Sequence, residues 1–270
     1  MSGKDLTSKG FTKFVLEDIP SMNQKLEFVI TQNNAKISEA SQSGKPEDLV
    51  INHLAISTGC LVSITDALSA LNRHLIKIGP TSYEMSVFPR STNSIIRIAF
   101  ENWALYSWLQ LEEEMKPLAW KSLAFLYENA TEARKYYSAL GSDENVARID
   151  LQLDILTKEG IALGYIREVV DANDPQKVHL KYPSIPSMVD LSRDINLLAD
   201  YAGHEIQNAL SVHPGIDNGA YIYRFLSGHV RGLQWVTNFD TGQEMPTKQK
   251  FVYWIPTVAL RALKNGIEAI

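Results

Sequence analysis

Ile95-Ile96-Arg97-Ile98-Ala99-Phe100-Glu101-Asn102-Trp103 is the stretch on which the fold turns. Apolar residues recur at Ile95, Ile96, Ala99, Trp103, Tyr106 and Leu109, the spacing of one helix face. Pro89 suits a first helical turn, where its missing N–H is no loss. The spacing predicts a deeply buried helix from Pro89 to about Met115. Its end, Glu112-Glu113-Glu114, opposes the macrodipole and suits a solvated terminus.

A buried helix needs neighbours with apolar stripes, and the chain supplies them on both sides. Met22, Leu26, Val29 and Ile30 predict a helix over Ser21 to Ser41, after a polar, loosely ordered segment 1–20. Ser41 to Asp48 has linker composition. Pro46 and Gly79-Pro80 bracket a long apolar helix from Pro46 to Ile78, followed by a loop over 80–88. Pro117 to Leu140 is amphipathic, with Trp120, Phe125 and Tyr127 as core candidates. Gly141-Ser142-Asp143 breaks it and caps a helix to about Lys158, which continues or kinks at Gly160. Asp171 to Pro186 is loop-rich, Met188 to Ser211 helical, and Pro256 to Ile270 a terminal helix. Phe239-Asp240-Thr241-Gly242 reads as a turn between short strands, with Phe251-Val252-Tyr253-Trp254 as the second. The expected fold is all-α, a multi-helix bundle with one small β-hairpin near 236–254. Residues 21–270 form a single domain.

Composition bounds the function. The 270 residues include 45% hydrophobic and 21% charged, ordinary for a globular protein. A net charge of −5 argues against a broadly basic nucleic-acid surface and leaves room only for a local basic cleft. The N-terminus carries no apolar signal core, and no uninterrupted apolar run approaches a membrane span, so the expectation is a cytoplasmic, microbial-style protein without a membrane partner. Cys60 is the only cysteine, which excludes an intrachain disulfide. It sits in an apolar run and reads as a small buried hydrophobe. His53, seven residues earlier on a similar face, is a weak candidate for a base.

Three polar constellations interrupt the apolar pattern. Arg97 and Glu101 lie four apart, on one face of a helix that is otherwise almost wholly apolar, so they are expected to form a partly buried pair. Tyr223-Arg224-Phe225-Leu226-Ser227-Gly228-His229-Val230-Arg231-Gly232 places two arginines and a histidine in an apolar segment, and Arg224 or Arg231 is expected near Glu101. Asp200, His204, Glu205 and Asn208 share a polar face, but the second histidine of a zincin helix is missing and no Glu-x-x-His pair occurs. No metal or cofactor is expected. Phosphate-binding glycine loops, a nucleophile elbow and multi-cysteine zinc patterns are absent from the sequence.

The Arg97-x-x-x-Glu101 helix followed by Tyr223-Arg224-x-Leu226-Ser227-Gly228-x-x-x-Gly232 resembles a group of all-helical bacterial proteins common in actinobacteria. Its second motif usually reads Tyr-Arg-x-Leu-Ser-x-x-x-His-Gly. The group's arginine-to-histidine spacing is similar to that of the HEPN superfamily, helical and often homodimeric proteins that include metal-independent endoribonucleases of toxin and defence systems. Arg224 and His229, with four residues between them, match the Arg-x4–6-His pattern. Arg231 stands where the group's histidine falls, and Phe225 where active nucleases carry a polar residue. The resemblance implies RNA as partner and Arg224 and His229 as catalytic residues, with Arg97, Glu101, Tyr223, Ser227 and Arg231 in the surrounding polar network. Two other functions fit the residues: a catalytically silent interaction module with a buried Arg97–Glu101–Arg224 network, and a small-molecule enzyme using a pocket lined by Trp103, Tyr106, Tyr201, Tyr221 and Tyr223.

Overall fold

The structure is a computed structural model and describes residues 8–42, 48–77, 83–85, 89–110, 115–164, 226–227 and 245–270. Six α-helices dominate these residues: α1 (Ser8–Gln42), α2 (Asp48–Leu71), α3 (Pro89–Gln110), α4 (Met115–Ala139), α5 (Asp143–Ala162) and α6 (Met245–Ala269). Leu226 and Ser227 are also helical. The fold is an all-α bundle.

Helix α3 confirms its apolar spacing. Ile96, Ala99, Phe100, Trp103, Tyr106 and Leu109 are all buried, and α3 packs against α2 on one side and α6 on another. α1 closes the core by packing on α2 and α6. The core unites Phe11, Val15, Ile19 and Leu26 of α1 with Leu61, Ile64 and Leu68 of α2. It also takes in Phe100 and Trp103 of α3, and Leu260, Leu263 and Ile267 of α6. The window Asn52–His74 is long and apolar enough to cross a membrane, with mean hydropathy 1.6, and 50% of it is buried in the bundle.

Two prolines lie inside helices: Pro20, expected in the loosely ordered segment, and Pro256, expected at a helix start. Residues 8–20 are not loosely ordered: α1 begins at Ser8 and runs through Pro20, seating Phe11, Phe14, Val15 and Ile19 in the core. Likewise α6 begins at Met245 and runs through Pro256. A proline inside a helix costs about 3 kcal/mol. Burial of roughly 1.5–3 kcal/mol per large apolar side chain, repeated along each helix, offsets it. The same packing overrides the strand expected at Phe251–Trp254, which is helical; residues 236–244 lie outside the described set. Strand propensity spans only about 1 kcal/mol and depends on context.

A two-stranded antiparallel pair does occur, at β1 (Leu75–Lys77) and β2 (Tyr83–Met85), with Ile76 opposite Glu84. It follows a short 3₁₀ turn, Asn72–His74, so the apolar helix expected to reach Ile78 stops at Leu71.

The break at Gly141 is as its composition predicts. Gly141 has φ 68°, its N–H bonds the Ser138 carbonyl, and the Ser142 N–H bonds the Tyr137 carbonyl. This is the paired bonding of a Schellman end, which glycine adopts without a Cβ penalty. Ser142 then precedes α5, with Asp143 and Glu144 in its first turn, where negative charge suits the macrodipole. Gly160 does not kink α5; it is buried inside it. α5 packs chiefly on α4, which in turn joins the bundle through α2 and, less, α3.

Candidate functional site

Arg97 and Glu101 meet as their spacing requires. The Arg97 Nε donates to Glu101 Oε1 at 2.7 Å, and a terminal guanidinium nitrogen lies 2.7 Å from the same oxygen. The side chains are 20% and 25% exposed, so the pair sits at the rim of the core and is reached by water. Arginine before glutamate is the less favourable order along a helix. The local gain from the pair is therefore small, on the order of a few tenths of a kcal/mol. A double-mutant cycle on Arg97→Ala and Glu101→Ala is expected to give a coupling of about 0.5 kcal/mol that shrinks with added salt. Strict additivity in urea unfolding would place the two side chains apart.

Of the second motif, Leu226 and Ser227 are described. Leu226 is fully buried and belongs to the same apolar cluster as Ile96 and Phe100, the residues flanking Arg97 and Glu101 on α3. Ser227 is 8% exposed, and its hydroxyl oxygen is buried with no hydrogen-bond partner. An orphaned buried hydroxyl costs about 1–3 kcal/mol and calls for a reason. Tyr223, Arg224, His229 and Arg231 lie outside the described residues, as do Asp200, His204, Glu205, Asn208 and the expected approach of Arg224 or Arg231 to Glu101. No group of His, Cys, Asp and Glu able to hold a metal ion occurs among the described residues. Of the aromatic candidates, Trp103 and Tyr106 are core residues, 2% and 7% exposed, with ring centroids 5.4 Å apart.

Cys60 is the buried hydrophobe its surroundings suggest: burial pushes its thiol up to about 12, which silences it as a nucleophile at neutral pH. His53 does not serve it. Instead the imidazole belongs to a buried polar cluster that the sequence reading missed. Its Nδ1 lies 3.4 Å from the Ser122 hydroxyl of α4. The neighbouring Lys121 donates to the Trp108 carbonyl at 2.7 Å, with its ammonium 5.2 Å from the Trp108 ring centroid. That carbonyl is among the last of α3, which have no partner within the helix and sit at the negative end of its dipole. Gln110, the last residue of α3, donates to Ser57 Oγ of α2 at 3.1 Å. His53 and Ser122 are 69 residues apart, a pairing no local pattern announces.

No protein-family model, curated protein or solved structure matches the chain.

Proposed function

We propose that the chain is a metal-independent RNA-binding and RNA-cleaving protein of the HEPN type, with Arg224 and His229 as its working residues. The observation that carries this reading is the burial of Leu226 in the cluster that holds Ile96 and Phe100. It ties Leu226 to the core cluster to which α3 contributes Ile96 and Phe100. On an ideal helix, at about 100° per residue, Arg224 and Arg231 fall about 160° and about 140° from Leu226, away from the side that enters the core. Such a segment presents both guanidinium groups to a phosphate, which a guanidinium binds through two parallel hydrogen bonds. On the same ideal helix His229 falls about 60° from Leu226 and about 140° from Arg224, so for it to move the proton of the attacking 2′-hydroxyl the segment must turn out of that helix at Gly228. Ser227, with its hydroxyl unpaired in the buried position, has a donor left to orient a neighbour or substrate. A cytoplasmic homodimer brings two copies of the motif into one cleft and concentrates positive charge that the whole chain, at −5, does not have.

The test is cleavage of RNA in EDTA by the purified protein. His229→Ala is expected to lower the rate by about 10²-fold or more without unfolding the chain. Arg224→Lys keeps the charge and loses the fork, and should also be strongly impaired. Absence of cleavage on several RNAs, or full activity in His229→Ala, ends this reading.

One observation favours a second reading, a non-catalytic helical interaction module. Arg97 and Glu101 bond each other along α3, as a structural ion pair does. That reading expects inactive protein whose partners still bind the His229→Ala variant.

A further inference from the structure

Helix α5 is apolar on two opposite faces. Ile149, Leu156 and Gly160 are buried, and α5 packs chiefly on α4. At about 100° per residue these three lie about 140° to about 180° from Leu151. On that far side Leu151 and Ile155 are 61% and 55% exposed, with Ala147 exposed beside them. A helix that only covered α4 would carry polar residues there. We propose that this outer face is a self-pairing surface: two copies of the chain join by laying their α5 helices antiparallel, about a twofold axis level with Leu151.

The order of charges selects a second copy as the occupant. Glu144, Ala147, Arg148, Asp154, Ile155 and Lys158 all project within about 60° of Leu151. The four charged residues among them are exposed. Glu144 and Lys158 stand equally far from Leu151 along the helix, on opposite sides of it. So do Arg148 and Asp154, and so do Ala147 and Ile155. An antiparallel copy reverses the helix about Leu151. Glu144 then stands level with Lys158 of the second copy, Arg148 with its Asp154, and Ala147 with its Ile155. The twofold axis makes each match twice. Opposite charges across a helix pair set partner choice and register. Lys158 already bonds Asp154 on its own helix at 2.6 Å, and Glu144 and Arg148 of the second copy extend that bond into a row of four charges.

Neighbouring registers lack this match. Centred two residues later, the pairing sets Arg148 level with Lys158 of the second copy. Centred two residues earlier, it sets Glu144 level with Asp154. Like charges placed across an interface oppose association. In the Leu151 register the level like-charged residues are Asp143 and Glu159. They lie about 80° off the Leu151 line, on opposite flanks of the helix pair. The surface stands on α5 alone, and holds whether or not the chain cleaves RNA.

One helix pair is a small interface, so the dimer is reversible, with a Kd on the order of 10 μM. Sedimentation equilibrium of the full chain reads it. Glu144→Lys and Lys158→Glu each turn two attractions into two repulsions, and each should weaken self-association by about tenfold. Mixed together, the two variants should regain the affinity of the natural chain, because each supplies the charge the other lacks. Both positions are exposed, so the circular dichroism spectrum should not change. Leu151→Cys gives an independent reading, since the buried Cys60 thiol is unreactive. Under oxidation it should yield a covalent dimer, while Gln152→Cys, about 100° round the helix, should not. A chain monomeric well above the expected Kd overturns the proposal, whatever covers the face instead. So does a dimer indifferent to both charge reversals, a pair of variants that fail to associate when mixed, or equal cross-linking through both cysteine positions.

Discussion

Gly266→Ala should destabilise the protein by about 2 kcal/mol, although alanine is the better helix former by about 1 kcal/mol. Gly266 lies on α6 where that helix meets α3. A Cβ there would stand 2.6 Å from Cε2 and 2.8 Å from Nε1 of Trp103, and closer still to Cζ2. The indole has nowhere to retreat: it is 2% exposed and packed on Tyr106. Overpacking a dense core costs roughly 1–3 kcal/mol, and here the upper end applies because a rigid ring is met. Gly59 is the internal control. It also lies inside a helix, but a Cβ there meets nothing within 4 Å. Gly59→Ala should therefore stabilise by about 0.5–1 kcal/mol, on propensity alone. Thermal unfolding reads both, with the two melting points moving in opposite directions and Gly266→Ala down by roughly 5 °C. Equal stabilisation by both changes would mean that α6 does not seat against Trp103.

The same contrast between local and long-range determinants explains what the sequence could reveal. Arg97 and Glu101 were legible because both members of the pair, and the apolar face beneath them, lie within three turns of one helix. Gly141 was legible because a helix end is a local chemical event, completed by the two bonds to Tyr137 and Ser138. The extension of α1 back to Ser8 was also encoded. Phe11, Phe14, Val15, Ile19, Met22 and Leu26 continue a single stripe, and Pro20 masked it. Pro20 is exposed, so its missing N–H faces water and the stripe beneath is uninterrupted. The run Phe251–Trp254 misled for the opposite reason: β-favouring residue types outweighed a helix whose evidence lay downstream at Leu260, Leu263 and Ile267. The His53 cluster was out of reach. It assembles α2, α3 and α4 from residues separated by 69 and 13 positions, and only the packing of three helices brings them together.

Leu226→Ala is expected to cost about 3 kcal/mol. The side chain is fully buried within the main core cluster. Truncating a buried leucine loses its transfer free energy and leaves a cavity, together about 2–5 kcal/mol. The comparison is Ile98→Ala on α3, one residue from Arg97 but 47% exposed, where less than about 1 kcal/mol should be lost. Denaturant unfolding with an unchanged m-value separates the two. The result bears on function as well as stability. If Leu226 anchors the motif, its truncation should lower RNA binding or cleavage together with stability, because Arg224 and His229 are positioned through it. Phe225→Ser, which restores the polar residue of active nucleases, would by contrast be read in activity. A loss below about 1 kcal/mol in Leu226→Ala would detach the motif from the core and, with it, from the Arg97–Glu101 helix that the proposed site requires.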